Sequence, residues 1–393
     1  MITLQTSSSF ISALKCSGCN REYSFYERAT FSACCQKPLL SMYDNSERIP
    51  QTILHSRPTN MWRYREMLPL LEDANMVSLG EGFTPIFTLK KWASKYDFDS
   101  ILMKDESINP TGSFKARGLS MAISKAKELG VEACIIPTAG NAGGAMAAYC
   151  AKADIEATVV MPCHTPQVFK DECELYGATL ILVDGLINDC GKQVAALKQT
   201  KPYYDVSTMK EPYRLEGKKT MGYEIAEQFN WTLPDVILYP AGGGTGLIGI
   251  WKAFAEMKAL GWLRKDIRLP RMYAIQAENC CPVVETWNHN QTNCLNYKGK
   301  PSIANGLAVP QPFAEQLMLD VLKESGGLPI AVSDQDMLAS MKEIAKTEGM
   351  IIAPEGAALF SALITLTKQK QIQPSEKILI LNTGSGYKYL ENL

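Results

Sequence analysis

The sequence has few of the features that mark several large classes of protein. Its 393 residues include only three histidines, and the formal net charge is −1. A balance this close to zero gives no electrostatic basis for binding nucleic acid or an anionic membrane. The histidines, His55, His164 and His289, have no further ligand at metal-binding spacing, which favours structural roles for all three.

An export signal and long apolar runs are also lacking. The N-terminal stretch has no basic residue before Lys15 and no sustained apolar core, so it is not expected to be a secretory signal. The longest uncharged run, 236–251, is interrupted by Pro240 and several glycines, which argues against a membrane span. Twelve cysteines scattered along such a chain favour reduced thiols over a disulfide framework. We therefore expect a soluble cytoplasmic enzyme, long enough for two or three domains.

Strand-like and helix-like segments alternate along the chain from Val131 onward. Runs rich in β-branched residues are followed by runs with helical periodicity, the order that βαβ units require. The strand-like runs begin at Cys134, Ala157, Thr179, Asp235, Met272 and Lys377. We predict an α/β fold with two parallel-sheet lobes, a cleft between them, and a small cysteine-containing N-terminal extension.

One lysine, Lys115, follows a turn-forming stretch at 109–112 and precedes a segment, 116–127, with helical character. Proline fixes its own φ and glycine adopts conformations that other residues avoid, so a turn is expected there. The turn would hold the lysine amine at a fixed point on the first turn of a helix. A lysine held in this way can form a Schiff base with a carbonyl cofactor when burial and neighbouring cations lower its pKa. The alternative is an ordinary solvated lysine.

Three loops rich in small residues follow predicted strands, the position where ligands collect in parallel sheets. The loop at 138–144 reads TAGNAGG, and its Asn141 amide can reach a phenolic oxygen. The loop at 242–246 reads GGGTG and opens a helix, so its backbone N–H groups can cradle a phosphate. The loop at 382–386 reads NTGSG and offers a hydroxyl to a ring nitrogen. Each composition is also compatible with an ordinary turn.

The second loop also fits a different class of enzyme. Gly244, Gly246 and Gly249 have the spacing of the dinucleotide fingerprint, and the next predicted strand is followed by Glu278. This motif alone therefore leaves an NAD-dependent dehydrogenase open. Such an enzyme has no use for the fixed lysine and the two other loops, whereas pyridoxal phosphate, a phosphorylated carbonyl cofactor, uses all four features.

Ten sequence blocks between Trp62 and Tyr389 resemble one family. In order they read WRYREMLP, SLGEGFTPI, KDESINPTGSFKARG, TAGNAGGA, YRLEGKKTMGYEIAEQ, PAGGGTGLIGIWKAF, ANGLAVPQPF, VLKESGGLPIAVSD, APEGAA and NTGSGYKY. They resemble the threonine synthases, which belong to the tryptophan-synthase-β group (fold type II) of pyridoxal-phosphate enzymes. The resemblance implies a homo-oligomer, expected to be a dimer. It also implies a large cofactor-binding domain at 47–118 and 207–393, a smaller mobile domain at 119–206, and a zinc-ribbon-like extension at 1–46.

The resemblance further implies roles for individual residues. Lys115 would carry the cofactor as a Schiff base and act as catalytic acid and base, and Arg214 would bind the substrate's phosphate. The implied cofactor-binding residues are Lys115, Asn141, Gly242, Gly243, Gly244, Thr245, Gly246 and Thr383. The residues implied to hold the substrate are Thr138, Ala139, Gly140 and Arg214. Lys218 and Lys219 add charge near Arg214, but lysines at the start of a helix are expected to be solvated.

The implied reaction converts O-phospho-L-homoserine and water into L-threonine and phosphate by γ-elimination and β-addition. The expected binding partner is thus a small phospho-amino acid, and binding to nucleic acid or to a membrane is not expected. A threonine or serine dehydratase, a β-replacing synthase acting on O-phosphoserine, and an inactive metabolite-binding relative remain alternatives. Lys115 argues against the inactive relative. The Arg214 segment argues against a dehydratase, whose substrate has no phosphate to neutralise.

Four cysteines of the N-terminal extension form an irregular zinc motif. Cys16 and Cys19 make a regular Cys-x-x-Cys knuckle, but the second pair is Cys34 and Cys35, which are adjacent. Adjacent cysteines are expected to bind one zinc only with strained geometry. A structural zinc on these four residues and a metal-free remnant are both compatible with the sequence, and the irregular spacing favours the remnant.

Overall fold

The computed structural model describes residues 9–44, 46, 49–294 and 297–392. The chain divides into two compact units. Unit 1 comprises residues 1–83 and 115–220, and unit 2 comprises residues 84–114 and 221–393. The N-terminal segment therefore groups with the region predicted to form the smaller domain, whereas the sequence predicted three separate parts.

Thirteen strands and eleven α-helices are found among the described residues. The strands are β1 (Ile11–Cys16), β2 (Glu22–Tyr23), β3 (Leu39–Tyr43), β4 (Ile86–Thr88), β5 (Ile101–Asp105), β6 (Ala133–Pro137), β7 (Glu156–Pro162), β8 (Thr179–Val183), β9 (Tyr204–Asp205), β10 (Val236–Pro240), β11 (Arg271–Ala277), β12 (Pro329–Val332) and β13 (Ile378–Asn382). The helices are α1 (Lys90–Lys95), α2 (Lys115–Glu128), α3 (Ala142–Ala153), α4 (Gln167–Leu175), α5 (Ile187–Leu197), α6 (Tyr213–Gln228), α7 (Thr245–Leu260), α8 (Pro282–Asn288), α9 (Glu315–Ser325), α10 (Asp334–Glu348) and α11 (Pro354–Lys368).

Unit 1 contains a four-stranded sheet in the order β8-β7-β6-β9. Every neighbouring pair in it is parallel. β6 is almost entirely buried and apolar, as expected for a strand covered on both faces. The alternation of strand-like and helix-like runs thus correctly predicted a parallel sheet here.

The N-terminal extension of unit 1 is a small antiparallel sheet in the order β2-β1-β3. Leu14 and Leu39 from this sheet belong to one buried cluster with Met121 of α2 and Tyr213 of α6. The extension therefore shares a hydrophobic core with two long helices of its unit, and burial against those helices stabilises it.

Unit 2 is built on a six-stranded sheet in the order β12-β11-β10-β13-β5-β4. The edge strand β4 is antiparallel to β5, and the other neighbouring pairs are parallel. All residues of β10 and β13 are buried, because these strands occupy the centre of the sheet. Among the described residues, no helix is both long and apolar enough to cross a lipid bilayer.

Candidate active site

Lys115 is the first residue of α2, at the start of a helix as predicted, and the turn before it belongs to unit 2. The Gly112 N–H donates to the Asn109 carbonyl at 2.9 Å. Thr111 and Gly112 have φ of +60° and +65°. Glycine adopts this left-handed conformation readily, but for threonine it costs about 1–3 kcal/mol. Lys388 Nζ donates to the Thr111 carbonyl at 2.8 Å and helps to hold the turn, which fixes where α2 begins.

Two of the predicted loops and the turn before Lys115 lie in unit 2, at the carboxyl ends of neighbouring strands. The turn before Lys115 follows β5, the NTGSG loop follows β13 and the glycine loop follows β10, and these strands lie side by side as β10-β13-β5. The Phe114 N–H donates to the Thr383 carbonyl at 3.1 Å, and the Ser385 N–H donates to the Gly112 carbonyl at 2.9 Å. Thr383 is therefore held against the residue that precedes Lys115.

The glycine loop, 242–246, leaves little room for side chains. A Cβ at Gly242 would collide with a neighbouring backbone carbonyl, and one at Gly246 would collide with the Tyr239 hydroxyl. Gly244 has φ of +75° and is the residue directly before α7. The first N–H groups of a helix lack intrahelical partners and lie at the positive end of its dipole. The loop thus has the form of a phosphate cradle.

In unit 1, the loop at 138–141 connects β6 to α3. The Gly140 N–H donates to the Thr138 hydroxyl at 3.3 Å. Asn141 directly precedes α3, but its side chain does not cap the helix. Its Oδ1 is buried and has no hydrogen-bond partner among the described residues. A buried acceptor without a donor is costly, so a ligand hydroxyl at this point would be stabilising.

Arg214 lies in the first turn of α6 and is completely buried. Its Nη1 donates to the Val206 carbonyl at 2.6 Å. Its Nε and Nη2 have no acceptor among the described residues. These two nitrogens lie along one edge of the guanidinium, the fork that binds an oxyanion through two parallel hydrogen bonds.

Glu211 caps the start of α6. Its carboxylate accepts the backbone N–H groups of Tyr213 and Arg214 at 2.7 and 3.0 Å. Burial raises the pKa of Glu211 to about 7, although the nearby Arg214 charge and the two N–H groups oppose this rise. The guanidinium therefore has a buried counter-charge close by, but that carboxylate also serves as the helix cap.

The prediction that Lys218 and Lys219 are solvated is wrong, because both are buried. Lys219 forms an ion pair with Glu216 at 2.5 Å and donates to the Met67 carbonyl at 2.7 Å, so its role is structural. Burial, followed by the charges of Arg214 and Lys115, holds the pKa of Lys218 well below its ordinary value. Solvation was expected because the residues open a helix, but this helix start lies inside unit 1.

The four N-terminal cysteines come together despite their irregular spacing. The Sγ atoms of Cys16, Cys19, Cys34 and Cys35 all lie within 4.8 Å of one another. The Cys16 thiol is buried and donates to the Ser32 hydroxyl at 3.1 Å. Adjacency of the last two cysteines therefore does not prevent all four sulfurs from reaching one position, and four thiolates are a typical ligand set for structural zinc.

Sequence reasoning missed a buried charge cluster next to the turn. Lys104 forms an ion pair with Glu224 at 2.9 Å, and both side chains are fully buried. The following residue, Asp105, accepts a hydrogen bond from Asn382 Nδ2 at 2.8 Å, which ties the end of β5 to the end of β13. The available signal was a lysine that directly follows three apolar residues of a strand, since charged residues are rarely fully buried without a partner.

Comparison with known proteins identifies the family. The family model described as pyridoxal-phosphate dependent enzyme matches residues 77–384. The threonine synthase of Methanocaldococcus jannaschii is 32% identical over 95% of this chain and 92% of its own length. The threonine synthase of Methanosarcina acetivorans is 32% identical over 94% and 91%, and that of Synechocystis sp. is 33% identical over 83% and 82%.

Solved structures share the fold at lower identity. Maize serine racemase has a TM-score of 0.66 and 21% identity over 79% of this chain and 93% of that chain. The serine racemase of Dictyostelium discoideum has a TM-score of 0.63 and 21% identity over 77% and 92%. These likenesses establish the fold alone. The family match includes the loop at 242–246, so the dinucleotide interpretation of its glycines is set aside. The chain belongs to the pyridoxal-phosphate dependent enzymes and, among them, to the threonine synthase family.

Proposed function

We propose that this chain converts O-phospho-L-homoserine and water into L-threonine and phosphate with pyridoxal phosphate as cofactor. The observation that carries the proposal is the completely buried Arg214, whose Nε and Nη2 have no acceptor among the described residues. A buried cation with two N–H groups available is costly unless an anion binds it. A substrate phosphate meets that requirement, whereas the substrate of a dehydratase has none.

The residues present fit the cofactor. Lys115 would hold its aldehyde carbon, and Asn141, with its unpartnered buried oxygen, would accept a hydrogen bond from the ring hydroxyl. The N–H groups of 242–246 would bind the cofactor's phosphate, including those of Gly243 and Thr245, and the Thr383 hydroxyl would face the ring nitrogen. When bound, pyridoxal phosphate supplies an electron sink for the negative charge that develops on the substrate.

The protein's own side chains supply proton transfer and orientation. Lys115, released from the cofactor when substrate binds, would accept the proton from the α-carbon and return protons during the later steps. The loop formed by Thr138, Ala139 and Gly140 would hold the substrate carboxylate. Arg214 would bind the phosphate until it leaves the γ-carbon, after which water adds at the β-carbon.

Replacing Arg214 tests this assignment. Arg214→Ala is expected to reduce turnover of O-phosphohomoserine by about 100-fold or more, because a charge-assisted bidentate contact is lost. Arg214→Lys should recover only part of the loss, since an ammonium group lacks the fork. Phosphate release and threonine formation are measured together, and keto-acid formation from threonine and serine provides the comparison. If the wild-type enzyme forms keto acid efficiently and does not turn over O-phosphohomoserine, this proposal is wrong and the chain is a dehydratase.

The same arginine is compatible with O-phosphoserine, which also presents a phosphate monoester. In that case β-replacement or β-elimination products would form without threonine. Product analysis with both phospho-amino acids separates the two activities, and preferential turnover of O-phosphohomoserine is expected.

The proposal also covers a structural zinc ion. Cys16, Cys19, Cys34 and Cys35 would hold it as a four-sulfur site, supported by the approach of all four sulfurs within 4.8 Å. Such thiolates persist in a reducing compartment, so the cytoplasm is the location that fits them.

A homodimer is the assembly proposed from the family resemblance, and sedimentation measures it.

A further inference from the structure

Lys218 lies on the same face of α6 as Arg214, because the two residues are four positions apart. Both side chains are buried, with 0% of Arg214 and 1% of Lys218 exposed. This face packs on α2 at Gly118, where a Cβ would lie 2.9 Å from the Arg214 carbonyl oxygen and 3.0 Å from Lys218 Cε. Lys115 precedes Gly118 by three positions and so lies on the same side of α2. The two helices thus bring three cationic side chains of unit 1 into one region.

Two carboxylates, Glu211 and Asp205, act electrostatically on the cations of this region. The negative charge of Glu211 raises the pKa values of both Arg214 and Lys218, against the effect of burial. Asp205 also acts on Arg214, but it accepts a hydrogen bond from the Ser207 N–H at 3.0 Å and forms an ion pair with Lys198 at 3.3 Å. Burial and the neighbouring cations outweigh the effect of Glu211 and depress the pKa of Lys218. An added anion would therefore stabilise the region.

We propose that Lys218 is the second cation of the substrate's phosphate site and binds the same oxyanion as Arg214. This inference rests on the proposed function, because the oxyanion is taken to be the phosphate of the substrate. The Nε and Nη2 edge of Arg214 supplies two donors in a fixed plane, and the ammonium group of Lys218 adds a compact charge with rotatable donors. Two cations match a phosphate dianion, so Lys218 makes the site selective for a phosphate monoester over unphosphorylated amino acids.

Inorganic phosphate binding to the holoenzyme tests the inference. Lys218→Met and Lys218→Gln remove the charge while keeping a side chain of similar length. Each should bind phosphate about 10- to 100-fold more weakly than wild type, the loss expected for one charge-assisted contact. The KM for O-phosphohomoserine should rise, while the visible absorbance of the bound cofactor stays unchanged. Lys192→Gln, which removes an exposed lysine of α5 in the same unit, is the matched control and should leave phosphate affinity unchanged.

Thermal stability separates a binding role from a structural one. Without phosphate, Lys218→Met should melt no lower than wild type, because replacing a buried charge by an apolar side chain is often neutral or stabilising. Phosphate should raise the melting temperature of the wild type much more than that of the variant. Lower stability or failure to fold without phosphate contradicts the inference. Phosphate affinity within about twofold of wild type also contradicts it.

Failure of the proposed function gives a different result. A wild-type enzyme that binds phosphate through Lys218 but forms no threonine from O-phosphohomoserine would refute the proposed reaction. The same result would still support an anion site at Lys218. A wild-type enzyme that forms threonine, together with Lys218 variants that bind phosphate normally, would refute the inference alone.

Discussion

Burial of Glu211 gives this protein a pH-dependent stability near neutrality. Its pKa is raised from 4.5 to about 7 in the folded state. The folded protein therefore holds a proton that the unfolded chain has already released. The resulting stabilisation is fully present below about pH 4.5 and is lost as the pH rises through about 7.

Glu211→Gln is expected to flatten this dependence, because glutamine stays neutral and keeps an acceptor for the N–H groups that start α6. At pH values above 7, the variant should be more stable than wild type by on the order of 3 kcal/mol, at about 1.4 kcal/mol per pKa unit. Denaturant unfolding between acid and neutral pH, in phosphate-free buffer, measures the difference. Glu132→Gln, which replaces an exposed carboxylate of the same unit, is the control. A stability difference between variant and wild type that is the same at both pH values would refute the assignment.

For single residues, the sequence predicted where a residue lies in the fold better than it predicted what surrounds that residue. Motif and turn chemistry predicted Lys115 at the start of a helix, and the structure confirms its place there. The roles of Asn141, Thr383 and Arg214 remain predictions. The burial of Lys218 could not be predicted, because whether a helical lysine is solvated depends on what packs against that helix. Here the partner is α2, which is distant in sequence.

At the scale of elements, α2 and α6 approach closely through a pair of glycines. A Cβ at Gly118 would lie 2.9 Å from the Arg214 carbonyl oxygen, and one at Gly217 would collide with the Arg117 carbonyl. Each glycine thus removes a side chain where the other helix's backbone passes. The close approach fixes the distance between the helix that begins with Lys115 and the helix that carries Arg214.

Gly217→Ala is expected to push the two helices apart and lower the free energy of unfolding by about 1–3 kcal/mol, the usual cost of overpacking. It should also weaken phosphate binding, because Arg214 and Lys218, the residues proposed to bind phosphate, lie on α6. Gly191→Ala is the matched control, since Gly191 lies within α5 and a Cβ there would meet no atom of the described residues within 4 Å. That control should be neutral or stabilising by up to about 1 kcal/mol. Equal effects of the two substitutions in urea unfolding would mean that the close approach is not required.

The loops at 242–246 and 382–386 were predicted because small residues follow a strand-like run, and the turn at 109–112 because of its proline and glycine. That three of their strands lie side by side, as β10-β13-β5, could not be predicted, since β5 lies far from β10 and β13 in sequence. Sheet order depends on long-range pairing, and periodicity within one segment carries no information about it.

For the whole molecule, the N-terminal extension is more closely integrated than the sequence indicated. Its sheet shares a buried cluster with α2 and α6. The Tyr43 hydroxyl donates to the Glu216 carboxylate of α6 at 2.7 Å, and Lys219 Nζ lies 3.9 Å from the centre of the Tyr43 ring. The sequence predicted the extension as a separate part, because a local pattern does not reveal which distant helices will cover it.

Loss of the proposed zinc site should therefore affect the whole unit. Cys19→Ser is expected to reduce bound zinc to well below one per chain and to lower the melting temperature, because the metal would hold β1 to the loop that contains Cys34. Cys163→Ser, at an exposed cysteine outside the cluster, should change neither. Elemental analysis and calorimetry of the purified variants give both readouts. A wild-type protein without zinc, or a Cys19→Ser variant with full zinc content, would contradict the site.

The central claim is the reaction itself, and water labelled with heavy oxygen tests it most directly. The holoenzyme is incubated with O-phospho-L-homoserine in labelled water, and the products are analysed by mass spectrometry, with Lys115→Ala as the inactive control. Because phosphate leaves with its bridging oxygen from the γ-carbon and water adds at the β-carbon, we predict labelled hydroxyl oxygen in L-threonine and no label in the phosphate. Label in the phosphate, with homoserine as the other product, would reveal simple phosphate-ester hydrolysis and contradict the account.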